Sequence, residues 1–391
     1  MYPTLSDLLK DLFGINIPLP IQSFGFMLAI SFLLAAYLLV LEFKRKEKEG
    51  LLTFQYQKFL KGAPAKQSEL ISSAILGFII GYKLIYVLFN YSEFVNDTQG
   101  FILSLKGNFI GGIILACISA YLRYREKEKQ ILPDPEWIEE KVYPHQLVGN
   151  ITMVAAIAGL IGAKIFHNLE NIDDFISDPI GSLLSFSGLT MYGGLICGGI
   201  ALIWYSKKNG IPVPHFIDAN APGLMLAYGV GRLGCQISGD GDWGIVNLHP
   251  KPSWLSFLPN WAWAYNYPHN VNSVGVPIPD CVGKHCMMLP QPVYPTPLWE
   301  AVACISLFFV LWNLRKKIII PGLLFSIYLI MNGIERFFIE KIRVNTKYHI
   351  FNHAITQAEI ISFCLIILGI TGIFYFRKNK MEKQVSNNLI H

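Results

Sequence analysis

The stretch 229–244, GVGRLGCQISGDGDWG, combines features that rarely occur together. It continues an apolar run, yet it contains Arg232, Asp240 and Asp242. An arginine at membrane depth costs about 2.5–3.5 kcal/mol on insertion scales, so such a residue is kept where a partner or ligand compensates its charge. The six glycines of the stretch allow the backbone to approach another helix or a bound group closely. The stretch therefore predicts a helical membrane protein that presents Arg232 to an anionic ligand.

The composition of the whole chain agrees with this interpretation. Of 391 residues, 52% are hydrophobic and 15% are charged, and the mean hydropathy is +0.40. Soluble domains are usually about 25% charged. The net charge of +5 comes from short basic clusters beside apolar runs, which argues against nucleic acid as a partner. Since the bilayer core holds no water, repeated apolar runs of about 20 residues indicate transmembrane helices.

Nine apolar runs are long enough for such helices, which predicts an all-α polytopic membrane protein. The runs are residues 21–43, 70–90, 109–124, 146–167, 190–206, 218–237, 297–314, 322–342 and 358–376. Odd-numbered runs end beside Lys and Arg clusters, whereas the second and fourth runs end beside acidic residues. The positive-inside rule therefore places the N-terminus outside and the C-terminus in the cytoplasm.

The predicted organisation is a single transmembrane helical domain at 21–380. An extracytoplasmic lead occupies residues 1–20, an extracytoplasmic loop occupies 239–295, and a cytoplasmic tail occupies 381–391. Residues 50–66 and 130–144 are expected to be polar linkers.

An internal repeat relates two helix pairs of this domain. Residues 81–84 (GYKL) match 162–165 (GAKI), and residues 109–114 (FIGGII) match 191–196 (MYGGLI) after a one-residue slip. The pair 69–124 is thus predicted to be a parallel copy of the pair 150–206. Many transporters contain inverted repeats instead, so this repeat favours transport only weakly.

Two cysteines of the long loop suggest a covalent link. Cys281 and Cys286 are five residues apart in a polar segment. If the loop is extracytoplasmic, a disulfide is the natural interpretation. A zinc site fits less well, because Cys-x4-Cys with one histidine lacks a clear fourth ligand.

Two further clusters could carry chemistry. At the start of the fifth run, Tyr192 precedes paired glycines, which serve either close helix packing or ligand contact. In the eighth run, Arg336, Glu340 and Arg343 have the spacing of one helix face, either as an internal ion-pair ladder or as a functional site. The planar guanidinium groups of Arg232 and Arg336 suit a phosphate. A phosphate reached from the bilayer indicates an anionic lipid headgroup on the outer side.

At these residues the sequence resembles the bacterial prolipoprotein diacylglyceryl transferases. The elements that carry the resemblance are residues 193–196 (GGLI), 218–222 (DANAP), 231–234 (GRLG) with the following residues to 244, 294–300 (YPTPLWE), and Arg336, Glu340 and Arg343. The similarity covers the first run and about residues 145–380, and it leaves out the pair 69–124.

The resemblance implies a transferase of the bacterial inner membrane. Its expected substrates are phosphatidylglycerol, which supplies diacylglycerol and releases glycerol phosphate, and the lipobox cysteine of secreted precursor proteins. No metal and no cofactor are expected. Arg232 and Arg336 would stabilise charge on the leaving phosphate, and Glu340 would orient Arg336 or Arg343. The remaining substrate contacts implied by the resemblance are Gly193, Gly194, Gly231, Cys235, Gly239, Asp240, Gly244, Glu300, Glu340 and Arg343.

The sequence departs from the family pattern at the end that activates the thiol. Tyr192 occupies the position of the histidine that is the usual candidate base, and Phe24, Cys235 and Asn332 replace other family residues. His167 is an alternative base. Two rival functions therefore stay open: a catalytically weak relative that binds anionic lipid or precursor, and a lipid transporter.

Overall fold

The computed structural model describes residues 1–15, 17–96, 101, 104–185, 188, 190–345, 347–350 and 353–388. The last three residues of the predicted tail, 389–391, lie outside this set. Within it, every predicted apolar run contains one long helix, because each run is long and apolar enough to bury or shield its own backbone.

The long helices follow one another with few additional elements. They are α2 Ser23–Lys48, α3 Gln67–Phe89, α5 Phe109–Glu128, α6 Val148–Glu170, α9 Met191–Lys208, α10 Val213–Ser238, α11 Thr296–Leu314, α12 Leu323–Glu340 and α13 Gln357–Asn388. The described residues also form four shorter α-helices: α1 Leu5–Phe13, α4 Tyr91–Asn96, α7 Ile172–Ser177 and α8 Pro179–Leu184.

Five helices among the described residues have the length and composition needed to cross a membrane. They are Ser23–Lys48, Gln67–Phe89, Pro144–Glu170, Thr296–Leu314 and Gln357–Lys378. Large apolar side chains such as Leu33 and Leu88 are exposed on these helices, as expected where lipid replaces water. The protein is therefore a mostly helical membrane protein.

The two segments predicted as polar linkers, 50–66 and 130–144, each contain a strand, which the all-α prediction did not include. Strand β1 (Gln55–Lys61) pairs antiparallel with β2 (Glu136–Val142), and Gln55 lies opposite Val142. Both strands expose polar residues on each face, so they lack the apolar alternation that identifies a half-buried strand. The β1–β2 ribbon joins the two ends of the segment that contains α3 and α5.

Two smaller hairpins also depart from the purely helical prediction. Val276–Pro277 (β3) pairs with Met287–Met288 (β4), and Lys347–Ile350 (β5) pairs with His353–Thr356 (β6). The first lies in the long loop, where Cys281 and Cys286 form a disulfide. The bond closes a short turn of this otherwise irregular segment.

The two helix pairs of the sequence repeat make equivalent backbone contacts. In the first pair, the amide of Asn108 donates to the carbonyl of Tyr82 at 2.8 Å. In the second, the amide of Thr190 donates to the carbonyl of Ala163 at 3.1 Å. These positions correspond in the repeat, so both returning segments enter their second helix in the same way.

A half-buried lysine stabilises each returning segment. Lys83 Nζ donates to the Phe101 and Ser104 carbonyls at 2.9 and 2.6 Å, and Lys164 Nζ donates to the Ser185 carbonyl at 2.9 Å. The two lysines correspond in the aligned motifs GYKL and GAKI. Carbonyl groups that no helix satisfies therefore receive a charged donor in both pairs.

Helix α10 lies at the centre of the second half of the chain. It packs against α2, α11 and α12, and its residues Phe216 and Met225 enter two separate apolar cores. Near its start, the Asp218 carboxylate accepts hydrogen bonds from the amides of Gly322 and Phe325 at 2.7 and 2.8 Å. Because these amides open α12, Asp218 serves as its N-terminal cap and fixes one helix to the other.

Candidate active site

Helix α10 places Arg232 in the interior of the bundle. The guanidinium lies over the Tyr228 ring, with 5.1 Å between the guanidinium carbon and the ring centre. Tyr228 and Arg232 are four residues apart, so both project from one helix face. Arg232 Nε is 3.1 Å from Glu300 Oε2, and its Nη1 forms an ion pair with Asp242. Two carboxylates thus balance the positive charge of this buried arginine, as its membrane-depth position in the sequence led us to expect.

Glu300, in the first turns of α11, is the centre of the site. It is fully buried, and its carboxylate accepts hydrogen bonds from Tyr228, from Arg336 Nη1 at 3.0 Å and from Arg343 Nη1 at 3.4 Å. Removing a carboxylate from water costs several kcal/mol unless such partners surround it. Glu300 therefore holds the guanidinium groups of all three arginines in place.

The predicted helix face of Arg336, Glu340 and Arg343 is only partly correct. Arg336 Nη2 lies 3.0 Å from Glu340 Oε2 one turn later, and Asn345 Nδ2 donates to Glu340 Oε1 at 2.6 Å. Helix α12 ends at Glu340, so Arg343 lies beyond it. A loop rather than helical spacing brings Arg343 to the others.

That loop is held by the backbone beside Gly244. The Ile245 amide donates to the Ile342 carbonyl at 2.8 Å, and Gly244 forms an antiparallel bridge with Arg343. A Cβ on Gly244 would lie 2.6 Å from the Ile342 oxygen and 2.8 Å from the Tyr294 Cβ. Only glycine permits this approach, which sets Arg343 against Asp242.

Asp242 links two arginines through its two oxygens. One oxygen pairs with Arg232 and the other with Arg343, while the Thr296 hydroxyl donates to the Asp242 carbonyl at 2.7 Å. Burial acts to raise the pKa of Asp242, but the two guanidinium groups outweigh it and lower that pKa below its ordinary value. The carboxylate is therefore held in its ionised form.

We refer to Arg232, Asp242, Glu300, Arg336, Glu340 and Arg343, together with Tyr228, as the charge cluster. Its three guanidinium groups meet three carboxylates. A guanidinium carries five N–H donors, more than these ion pairs use. Arg343 Nε is buried and has no hydrogen-bond partner among the described residues. The cluster thus keeps fixed cationic donors available for an anion.

The comparison with known families agrees with this geometry. The family model of prolipoprotein diacylglyceryl transferase matches residues 10–133 and 135–375. The chain belongs to the prolipoprotein diacylglyceryl transferase family. The match includes the helix pair 69–124, so the expectation that this pair lies outside the family similarity is wrong.

Several curated proteins named phosphatidylglycerol–prolipoprotein diacylglyceryl transferase are similar to this chain. The protein of Leptospira interrogans is 24% identical, and the alignment covers 99% of this chain and 98% of the relative. The protein of Corynebacterium diphtheriae is 29% identical over 60% of this chain and 79% of the relative. The protein of Clostridium tetani is 26% identical over 63% of this chain and 86% of the relative.

Tyr192 lies in the same region as the charge cluster. It is half-buried at the start of α9, and its phenol lies within electrostatic reach of Arg336, Glu340 and Arg232. The structure therefore brings the three predicted catalytic residues, Arg232, Arg336 and Tyr192, to one region.

The glycines after Tyr192 have a different environment. A Cβ on Gly193 would lie 2.5 Å from the Gly162 oxygen, and one on Gly194 would lie 3.0 Å from the Gly159 oxygen. Both glycines thus let α9 pack closely on α6. Of the two interpretations left open by the sequence, close helix packing describes these contacts.

Other predicted contacts lie around Arg232. Gly231 faces open space, and Gly239 ends α10 in the left-handed conformation at φ 65°. Cys235 is buried, and its sulfur is 3.9 Å from Arg232 Nη1. Asp240 contacts no arginine in the described part of the chain, and burial together with Asp242 raises its pKa.

The sequence analysis selected Asp240 as a substrate contact, whereas in the structure the neighbouring Asp242 forms the ion pairs with Arg232 and Arg343. Both occur in one Gly-Asp-Gly-Asp segment, and only the turn after α10 distinguishes them. Potential ligand atoms of Cys235, Asp240 and Asp242 lie within 4.8 Å of one another. Because both oxygens of Asp242 already pair with arginines, this group is a poor cation site.

His167 does not join the charge cluster. His167 lies in the last turn of α6, where its Nδ1 is 3.3 Å from Asn171 Nδ2. Its ring packs against Gly188, in the segment that leads to α9. Within the described residues, no contact connects His167 with an arginine of the cluster, which leaves Tyr192 as the nearer candidate for handling a proton.

An apolar groove adjoins the cluster between α11 and α12. It has a volume of about 670 Å³. Trp299, Glu335 and Ile339 line it, and each of them directly precedes a residue of the charge cluster. The groove therefore opens beside the fixed arginines.

Proposed function

We propose that this protein transfers the diacylglyceryl group of phosphatidylglycerol to the lipobox cysteine thiol of prolipoproteins. The observation that carries the proposal is the set of three guanidinium groups fixed by buried carboxylates beside an apolar groove. Such a site offers cationic donors to a phosphate and apolar surface to acyl chains. The names of the relatives describe the same reaction.

Arg232 and Arg336 act on the phosphate. Glu300 holds both groups before substrate arrives, so little reorganisation is needed as charge develops on the leaving oxygen. The bond that breaks joins the diacylglyceryl carbon to a phosphate oxygen, and its electron pair remains on that oxygen, while the headgroup glycerol stays attached to the phosphate. Glycerol phosphate then leaves.

The thiol attacks the same glyceryl carbon and forms a thioether. Its proton must pass to a base, because the thiolate is the nucleophile. Tyr192 is the candidate for receiving or relaying this proton, since its phenol lies within electrostatic reach of the arginines of the cluster. Cys235, Asp240, Gly231, Gly239 and Gly244 shape the site around Arg232.

The groove between α11 and α12 receives an acyl chain of the lipid. Its lining is almost wholly apolar, and it starts beside Glu300 and Arg336. A lipid in this position has its tail in the groove and its phosphate at the cluster. The lipid thus reaches the arginines from the bilayer.

The nine long helices cross the bacterial inner membrane, with the N-terminus and the loop 239–295 outside and the C-terminus in the cytoplasm. Lys and Arg clusters in the last turns of α2, α5 and α9 and directly after α11 support this orientation. The transmembrane domain extends over 21–380, the lead over 1–20 and the tail over 381–391. The charge cluster then faces the side on which secreted precursors emerge.

The test is complementation of a bacterium depleted of its own transferase, together with the mass of a lipobox peptide after incubation with phosphatidylglycerol. The expected result is growth and a peptide that gains one diacylglyceryl group. Arg125→Ala, at an exposed arginine of α5, is a matched control that should retain activity. Lipid binding without thioether product would replace the proposal with the catalytically weak relative. Lipid movement without product would favour transport.

A further inference from the structure

A polar cavity lies at the N-terminal end of α10, opposite the end that carries Arg232. At the rise of an α-helix, Asp218 near the cavity and Arg232 are about 20 Å apart along α10. The volume of the cavity is about 210 Å³. We refer to it as the basic-end cavity. It lies between the end of α2, the start of α10 and the turn that joins α11 to α12. Its polar lining consists of Arg45, Lys46, Glu49, His215, Asp218, Arg315 and Lys316.

The carboxylates of this cavity are committed to other partners. Both oxygens of Asp218 accept backbone amides at the start of α12, at 2.7 and 2.8 Å. Both oxygens of Glu49 accept from Arg45 Nη1, at 2.8 and 2.6 Å. Each of these carboxylates therefore already has hydrogen-bond partners other than Lys46.

Glu42, just behind the cavity wall, is shared between two arginines. It pairs with Arg45, and Arg315 Nε donates to it at 3.1 Å. Arg315 Nη1 donates to the Trp312 carbonyl, and Nη2 has no acceptor among the described residues. One guanidinium edge at the cavity is thus unused.

Lys46 is the decisive residue. Only 5% of the residue is exposed, and its ammonium has neither an ion pair nor a hydrogen bond in the part of the chain that the structure describes; the carboxylates of Asp218 and Glu42 act on it only at longer range. Among the described residues, His215 Nδ1 is buried without a partner. A lysine with so little exposure and no direct partner loses hydration free energy, and methionine would fill the same space without that cost. A lysine here indicates that an anion completes the site.

The geometry points to a phosphate-binding site in the basic-end cavity, with Lys46 and Arg315 as its charged ligands. Four cationic side chains face three carboxylates there, so a bound anion removes the excess charge. Lysine and arginine donors together suit the oxygens of a phosphate. The phosphate belongs either to an anionic phospholipid headgroup or to a soluble phosphate compound. The inference is independent of the transfer chemistry, because the two sites share no residue.

The test uses the full-length protein and three variants. Lys46→Met removes the charge, Lys46→Arg retains it, and Lys48→Met removes an exposed lysine of the same helix as a matched control. In detergent, each protein is titrated calorimetrically with inorganic phosphate and with glycerol phosphate. In bilayer discs of phosphatidylcholine with added phosphatidylglycerol, retained lipid is counted by native mass spectrometry. Size-exclusion elution and transferase activity are recorded for every preparation.

Binding of at least one probe should weaken about tenfold or more in Lys46→Met, as expected for loss of a charged hydrogen-bond partner. It should persist in Lys46→Arg and Lys48→Met. Weaker binding of the soluble compounds assigns the site to free phosphate, and loss of one retained lipid assigns it to a headgroup. Because the charge cluster is also proposed to bind this lipid, only the difference between variants counts. Equal binding by Lys46→Met and Lys48→Met, or no binding by the unmodified protein, would overturn the inference.

Discussion

The charge cluster and the basic-end cavity, at opposite ends of α10, differ in which groups balance the charges of their arginine and lysine side chains. In the charge cluster, three guanidinium groups meet three carboxylates, and Glu300 touches every arginine. In the basic-end cavity, the carboxylates are committed to backbone amides or neighbouring arginines, and Lys46 is left without a described partner. In the charge cluster the protein's own carboxylates fix the arginines and leave some N–H donors for an anion, whereas in the basic-end cavity the ammonium of Lys46 has no direct partner among the described residues. Substitutions at the two sites should therefore have opposite effects on stability.

Glu300→Gln should produce the largest effect. Its neutral amide leaves three arginines around a site without its central charge, and breaking a buried ion pair from one side typically costs about 3–5 kcal/mol. The expected result is a large fall in the apparent midpoint of thermal unfolding in detergent. Glu139→Gln, at an exposed ion pair with Lys58 in the β1–β2 ribbon, should change stability by less than about 1 kcal/mol. Equal midpoints for the two variants would contradict the central role of Glu300.

Arg232→Ala should reduce transfer by about 10²–10³-fold, the usual effect of removing one preorganised donor from developing charge. Arg336→Ala should be similar, because Glu300 holds both groups in the same way. Initial rates with a lipobox peptide measure this. His167→Ala should retain most of the activity, since His167 contacts Asn171 instead of the cluster. Loss of activity in His167→Ala would return that histidine to the list of candidate bases.

These effects could be foreseen only in part from the sequence. Hydrophobic length sufficed to locate the helices, and the cost of a buried arginine sufficed to select Arg232. Glu300 appeared only through family resemblance, because its partners come from α10, α12 and the loop after α12. Such convergence depends on packing between distant segments, which no local pattern encodes.

Two local errors have local causes. Helical spacing placed Arg343 on α12, but the chain leaves the helix after Glu340 and pairs with Gly244 instead. The sequence did not predict β1 and β2 because polar residues lie on both faces of each strand. Neither strand therefore shows the alternation of apolar and polar residues that identifies a half-buried strand. In both cases a tertiary pairing overrides the pattern.

Gly244→Ala should disrupt the cluster through the backbone. The added methyl group meets the Ile342 carbonyl and the Tyr294 side chain, and overpacking of this kind costs about 1–3 kcal/mol. Arg343 should shift away from Asp242, with lower stability and activity. Gly231→Ala is the matched control, since a Cβ there meets open space. If the two variants unfold at the same temperature, the Gly244 bridge does not position Arg343.

Asp242→Asn and Asp240→Asn should have opposite effects at neutral pH. The pKa of Asp242 is lowered on folding, so its stabilisation is present above the ordinary carboxyl pKa and is lost as the pH falls through the folded value. Asp242→Asn should cost about 2 kcal/mol, as for other hydrogen bonds to charged groups. It should also remove part of the loss of stability below about pH 4.

The pKa of Asp240 is raised on folding, mainly by burial, so its ionisation destabilises the fold as the pH rises above the ordinary carboxyl value. Asp240→Asn should therefore stabilise the protein at pH 7 and have little effect in acid. Unfolding midpoints measured across this pH range test both variants. Destabilisation by Asp240→Asn at neutral pH would show that its carboxylate has a stabilising partner.

Lys46→Met should have the smallest effect, and like Asp240→Asn it should stabilise the protein. In detergent free of phosphate and anionic lipid, removing an ammonium that has little exposure and no direct partner among the described residues should raise stability by about 1 kcal/mol. Added phosphate or phosphatidylglycerol should reverse the order, because only the unmodified protein gains binding energy from the anion. Unfolding midpoints with and without each addition test this reversal. A stability loss in Lys46→Met under phosphate-free conditions would mean that the protein itself balances Lys46, and the contrast between the two ends of α10 would disappear.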